Sequence, residues 1–300
     1  MTSRVQCGGN PNVRRSWETS AIYILDTCAI RSIPWAKLER AEQNGVDFAV
    51  CPITCFELAS HLVKAEKQNY ARSRSNFLKC RIPHLLEDSA VRWADRARTP
   101  HSVNPSRREE RDLLLQTLHI ASEAQSLDDL YAKDLRYQDG FTLPLANHGE
   151  RLDGILRGEE QWYINHMTQL LREQEFFRLP NGSYCITRKI LVGNLERAGR
   201  SESTNSWIGR RRAVSNAMVQ APYIGYMLHR LYDAKNDGRN DIDRNDYEDA
   251  IICLAIDLDR HDVLVTKDKG TIRALKHTTA LLEREDCVMS TDEFVQRECQ

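Results

Sequence analysis

Ala21-Ile22-Tyr23-Ile24-Leu25-Asp26 and Asp262-Val263-Leu264-Val265-Thr266-Lys267-Asp268 decide how this chain of 300 residues folds. Each is a short apolar run that ends at a carboxylate. Runs that are apolar on both faces predict strands buried on both sides, as in parallel sheets. Working outward, Asp47-Phe48-Ala49-Val50-Cys51 reads as another strand, stopped by Pro52. Cys287-Val288-Met289 is a last short one. Thr54 is placed to cap a helix whose apolar stripe is Phe56, Leu58, Ala59, Leu62 and Val63. Further helices are predicted over 70–79, over 246–256, from Gly270 through Leu275, and after Ser290-Thr291. Strands alternating with helices predict the α/β class, with a central parallel sheet and crossover helices.

The middle of the chain changes character. Residues 95–240 are long, polar and helical in pattern, with helices predicted over 111–131, 159–177 and 213–232. Asp139-Gly140, Pro144, Asn147 and Pro180-Asn181-Gly182 read as loops between them. The expected organisation is a flexible tail over 1–20, a core made of 21–94 and 241–300, and a large helical insertion over 95–240. Tyr163, Trp162, Phe176 and Phe177 fall in helical patterns and are expected in a core.

A hydrophobic share of 41% and a charged share of 28% are those of a globular chain, which excludes wholesale disorder and fibrous classes. A net charge of −1 excludes a surface coated in basic groups but not a local basic groove. The 9 cysteines are scattered, with no C-x-x-C pair, and predict reduced thiols in a cytoplasmic protein. Cys51 and Cys55 have no partner pair at zinc spacing. No apolar run approaches the ~20 residues of a membrane span. The first twenty residues lack the apolar stretch of a signal peptide.

The chemistry lies in the acids. Ligands of open parallel sheets bind at the carboxyl ends of strands, where Asp26 and Asp268 stand. Glu57 is placed in the first turn of the helix after the second strand, at the same edge. Asp246 and Asp249 lie three apart in the first turn of the helix before Val263, so they share a face. Carboxylates gathered together repel and raise one another's pKa, and such a site normally gathers a cation. Oxygen donors alone suit Mg²⁺ or Mn²⁺. The bland reading of each acid is a favourable charge at a helix start.

Five blocks in order resemble the PIN-domain ribonucleases, a family that includes toxins of toxin–antitoxin pairs. They are Tyr23-Ile24-Leu25-Asp26-Thr27, Phe56-Glu57-Leu58 with Thr54 before it, Asn245 to Ile252, Val263 to Asp268, and Met289 to Phe294. The resemblance covers about 21–90 and 240–296. It implies a three-layer PIN-like core and hydrolysis of RNA phosphodiester bonds with one or two Mg²⁺ or Mn²⁺ ions. Asp26, Asp249 and Asp268 would hold the metal, with Glu57 as a further catalytic acid and Asp246 as the second-choice ligand. Thr27 and Thr266 would hydrogen-bond a ligand carboxylate or a water. An RNA substrate, an antitoxin-like inhibitor and a homodimer are the implied partners. Cys28 stands where many members carry a polar residue, and the gap from Glu57 to Asp249 is far longer than in compact members.

Other classes fit less well. A haloacid-dehalogenase phosphatase needs Asp-x-Asp, and here the second place is Cys28. No G-x-G-x-x-G follows the first strand, and no G-x-S-x-G elbow occurs. The alternative that remains is a catalytically idle module of the same fold that binds RNA or protein. For phosphate contact, the densest basic run is Arg210-Arg211-Arg212, expected near a helix start. Arg107-Arg108 and Arg188-Lys189 are lesser candidates. His61, four after Glu57, reads as a half-exposed surface residue.

Overall fold

Strand β1 (Tyr23–Leu25) leads through α1 (Thr27–Ser32) and α2 (Trp35–Gln43) to β2 (Phe48–Val50). Then α3 (Pro52–Val63) and α4 (Tyr70–Leu78) precede β3 (His84–Leu85). Next come α5 (Pro105–Glu123), α6 (Leu127–Tyr131), the hairpin of β4 (Asp134–Arg136) and β5 (Thr142–Pro144), α7 (Leu145–Glu173), α8 (Arg188–Arg200) and α9 (Ala221–Asn236). The chain closes with α10 (Asp246–Ala255), β6 (Val263–Thr266), α11 (Lys269–Leu282), β7 (Val288–Ser290) and α12 (Thr291–Glu298). This computed structural model describes residues 21–87, 105–173, 176–200, 220–243 and 245–299.

The central sheet has five parallel strands in the order β3-β2-β1-β6-β7. The chain builds outward from β1 to β3, returns to the other side of β1, and builds outward again. The reversal falls between β1 and β6, which is the switch point where such sheets open a crevice. Leu25 stands opposite Val265, so Asp26, just past β1, stands beside Thr266, the last residue of β6.

Strand alternation divides the core between two faces. Leu25, Val50 and Val265 pack with Leu58, Phe77 and Phe294 on one side. Ile24, Ala49 and Leu264 pack with Tyr163, Tyr226 and Ala274 on the other. Two helical layers therefore sandwich the sheet, and the α/β expectation holds at that level. Asp262 ties the middle together: its fully buried carboxylate accepts from the amides of Ile22 at 3.1 Å and Asp257 at 3.3 Å. Helices from the long middle stretch join both layers. Leu113 and Leu114 of α5 enter the first, and Tyr163 and Met167 of α7 the second.

Several local expectations are corrected. The segment after Asp26, which reads in sequence as a polar loop, is helical, because the Asp26 carboxylate accepts from the Ala29 amide at 2.6 Å and caps α1. Thr54 is not a cap. Cys51 occupies that position, Pro52 takes the first helical place, and the Thr54 hydroxyl is buried without a partner. Glu57 consequently lies in the second turn of α3. The helix predicted over 111–131 is two helices, because Ser126 and Asp129 form a capping box that starts α6. Asn147 is helical, and Pro144 ends a strand. Trp162 and Phe177 are 64% and 48% exposed, so neither is core, whereas Tyr163 is buried. Among the described residues no helix is long and apolar enough to cross a membrane, and every described cysteine is free.

Helices α9 and α11 cross closely at Gly225. A Cβ built there would lie 2.2 Å from the Thr278 Oγ1 and 2.9 Å from its Cβ. Gly225→Ala would gain about 1 kcal/mol in helix propensity on an open surface. Here the overpacking term of roughly 1–3 kcal/mol outweighs it. The expected outcome is a lower midpoint in thermal unfolding for Gly225→Ala, partly restored by adding Thr278→Ala. An unchanged or raised midpoint would show that the crossing is not tight.

Candidate active site

Each acid reaches the switch point from a different element. Asp26 follows β1, and Asp268 follows β6 and caps α11, accepting from the Thr271 amide at 2.5 Å. Asp246, Glu248 and Asp249 fill the first turn of α10. Glu57 comes from α3, and Glu160, itself buried, from α7. Helix α10 places Asp246 and Asp249 on one face, with Glu248 turned toward Glu57.

The contacts bind these acids into one network. Asp26 accepts from the Cys28 thiol at 3.1 Å and from the Thr266 hydroxyl. The same thiol accepts from the Lys267 amide at 2.9 Å, and the Thr266 Oγ1 accepts from the Asp268 amide at 3.0 Å. Cys28 thus joins the ends of β1 and β6. Asp249 accepts from the Tyr226 hydroxyl at 3.1 Å and the Thr271 hydroxyl at 3.3 Å. Thr27 is buried at the start of α1, and Thr266 rather than Thr27 supplies the hydroxyl that orients Asp26.

A resident cation sits among them. Arg230 of α9 places Nε 3.1 Å from the Asp246 Oδ1 and Nη2 3.6 Å from the Asp268 Oδ1. Its Nε also donates to the Tyr226 hydroxyl at 3.0 Å. Gly270 leaves room for this group, since a Cβ there would lie 2.8 Å from Nη2. At the outer rim, Arg31 approaches Glu57 at 3.3 Å and meets the His61 ring, which is half-exposed as expected.

These cations leave negative charge uncompensated. Burial raises Asp249 to about 7, with Asp268 and Asp26 adding repulsion. Burial lifts Glu248 to about 8, helped by Glu57, Glu160 and Asp249. Asp246 rises to about 6 by burial, against the pull of Arg230. Asp26 is also raised, burial being the main cause. Among the described residues no three His, Cys, Asp or Glu side chains are gathered closely enough to hold a metal ion as they stand. Two of the acids turn an oxygen to a helix amide, and Arg230 lies between Asp246 and Asp268.

The sequence placed Asp26, Asp246, Asp249 and Asp268 at one edge, and the structure brings them together there. It did not mark Glu248, Glu160, Tyr226, Arg230 or Thr271. The available signal was Tyr226-x-x-x-Arg230, a helical spacing that puts a hydroxyl and a guanidinium on one face. Arg210, Arg211 and Arg212 lie outside the described residues, as do the side chains of Arg107 and Arg108. No family model, curated protein or solved structure matches the chain.

The raised acids set the pH dependence of stability. Their folded pKa values exceed the unfolded ones, near 4, so the folded chain binds more protons between about pH 4 and 8. Stability therefore rises as pH falls from 8. Burial acts oppositely on His229, lowering it to about 3, with His277 and Arg273 adding to the effect, so below about pH 6.5 this one group offsets part of the gain from the acids. The expected midpoint of thermal unfolding falls as pH rises from about 6.5 to 8.5. Asp249→Asn should flatten the limb between pH 6.5 and 8.5. A wild-type midpoint that climbs from pH 6.5 to 8.5 would contradict the repulsion described.

Proposed function

We propose that the chain is a metal-dependent ribonuclease of the PIN-like kind. The observation that supports it best is the electrostatic proximity of Asp26, Asp249 and Asp268 at the switch point of a parallel sheet, with Asp249 raised to about 7 by burial and by the other two. Folding gains nothing from such repulsion, and a divalent cation relieves it. The donors are all oxygen and fit a hard ion such as Mg²⁺ or Mn²⁺. Asp26, Asp249 and Asp268 would hold it. Arg230 lies closer to Asp246 (3.1 Å) than to Asp268 (3.6 Å), which makes Asp246 the lesser ligand. When bound, such an ion supplies an acidified water and a counter-charge to the scissile phosphate.

The chain's own groups do the positioning. Thr266 and Cys28 orient the Asp26 carboxylate, and Tyr226 and Thr271 orient Asp249. Arg230 is fixed beside Asp268, where a guanidinium can meet phosphate oxygens. The same arginine favours a second reading. A buried cation already in place is what an idle RNA- or protein-binding module would keep to hold the acids together.

Cleavage separates the two. Asp26→Asn and Asp268→Asn each keep a helix-capping side chain, so both variants should fold. Purified wild-type protein should cut single-stranded RNA with Mg²⁺ or Mn²⁺ and stop with EDTA, whereas each variant should lose at least a hundredfold in rate. Equal activity in both variants would remove the assignment. A toxin role belongs to the same reading: wild-type expression should arrest growth, Asp26→Asn should not, and an antitoxin-like inhibitor should restore it.

A further inference from the structure

We propose that single-stranded RNA binds in a basic cleft between α3 and α4, beside the acid edge. The choice of RNA rests on the ribonuclease reading; the cleft itself does not. It is open, about 490 Å³ in volume, and Arg31, His61, Lys64 and Arg72 line it against one acid, Glu66. Asn69, Ser73 and Asn76 add neutral hydrogen-bonding residues to the lining, and Leu58 and Ala65 add apolar ones.

The helical spacing makes this a built face. Glu57, His61 and Lys64 fall at intervals of four and three along α3 and its C-terminal cap. Asn69, Arg72, Ser73 and Asn76 fall at three, one and three along α4. Both stripes turn toward the same space. Glu57 is the hinge between the two electrostatic regions. Its carboxylate meets Glu248 on the acid side and Arg31 and His61 on the cleft side.

Ordinary helix electrostatics account for part of this set only. Lys64 and His61 sit at the C-terminal end of α3, and Arg31 in the last turn of α1, where a cation is favourable. Arg72 lies in the first turn of α4, where the dipole disfavours it. It is exposed and makes no ion pair with a described residue. A cation kept against the dipole and without a carboxylate partner is available to an anion. The acid centre repels phosphates, so the strand that brings one phosphate to it needs positive charge for the next ones. The cleft provides this within one helix length of Glu57.

The test is anisotropy of a fluorescein-labelled ten-nucleotide single-stranded RNA, titrated at several salt concentrations with EDTA present so that nothing is cut. Lys64→Gln/Arg72→Gln should weaken binding at least tenfold and reduce the log–log salt slope by about 1.4, at roughly 0.7 for each lost contact to a single strand. Both residues are exposed, so the thermal midpoint should stay near wild type, and Arg72→Glu alone gives a second variant with a larger loss. Lys67→Gln, at an exposed residue paired with Asp128 and outside the cleft, should change binding less than twofold. Wild-type affinity and slope in the double variant would overturn the proposal, as would an absence of RNA binding by wild type. Metal-dependent cleavage with unchanged KM in the double variant would sink the cleft and leave the ribonuclease reading standing. Cleft-dependent binding by a protein that never cuts RNA would do the reverse.

Discussion

The guanidinium of Arg230 is the interaction on which the acid edge depends. Carboxylates from β1, α10 and the end of β6 can share one crevice only if something offsets their repulsion. Arg230 reaches Asp246 and Asp268 together and is held by the Tyr226 hydroxyl from the same helix. Its position is set by distant packing. Gly225 lets α9 lie against Thr278 of α11, and Gly270 clears the space into which the arginine projects. A fold that places acids at a switch point must also place this helix, at this depth, over them.

The crevice thus has two electrostatic neighbourhoods joined by one residue. Glu57 shares a hydrogen bond with Glu248 on the inner side and faces Arg31 and His61 on the outer. Its location in the second turn of α3 follows from Cys51 and Pro52 starting that helix. Had Thr54 been the cap, Glu57 would have stood in the first turn of the helix instead of the second.

What was legible in the chain followed from local rules. Apolar runs marked β1, β2, β6 and β7, and the strand-end rule then placed Asp26 and Asp268 correctly. First-turn acids marked α10. The two-residue β3 gives too short a signal, and β4 and β5 pair around a buried Leu135 within a polar sequence that patterning reads as loop. Arg230 and Tyr226 escaped notice because α9 is mostly buried and its periodicity reads as core. Only three-dimensional proximity shows that a hydroxyl and a guanidinium on that helix meet acids from α10 and α11. Glu160 escaped for the same reason: nothing in α7 announces that one of its glutamates turns inward.

The strand order also has a consequence for synthesis. Strand β6 fills the place beside β1, and the Ile22–Asp262 hydrogen bond closes across 240 residues. At ribosomal rates of about 5–20 residues per second, β1 waits on the order of 10–50 seconds for its neighbour. During that interval a fully apolar strand has one unpaired edge, a state prone to mispairing and to capture by chaperones. The acid edge is likewise incomplete, since α10 and Asp268 have not emerged. A nascent chain therefore carries Asp26 and Glu57 without their partners, and the full carboxylate set assembles only as the last strands join the sheet.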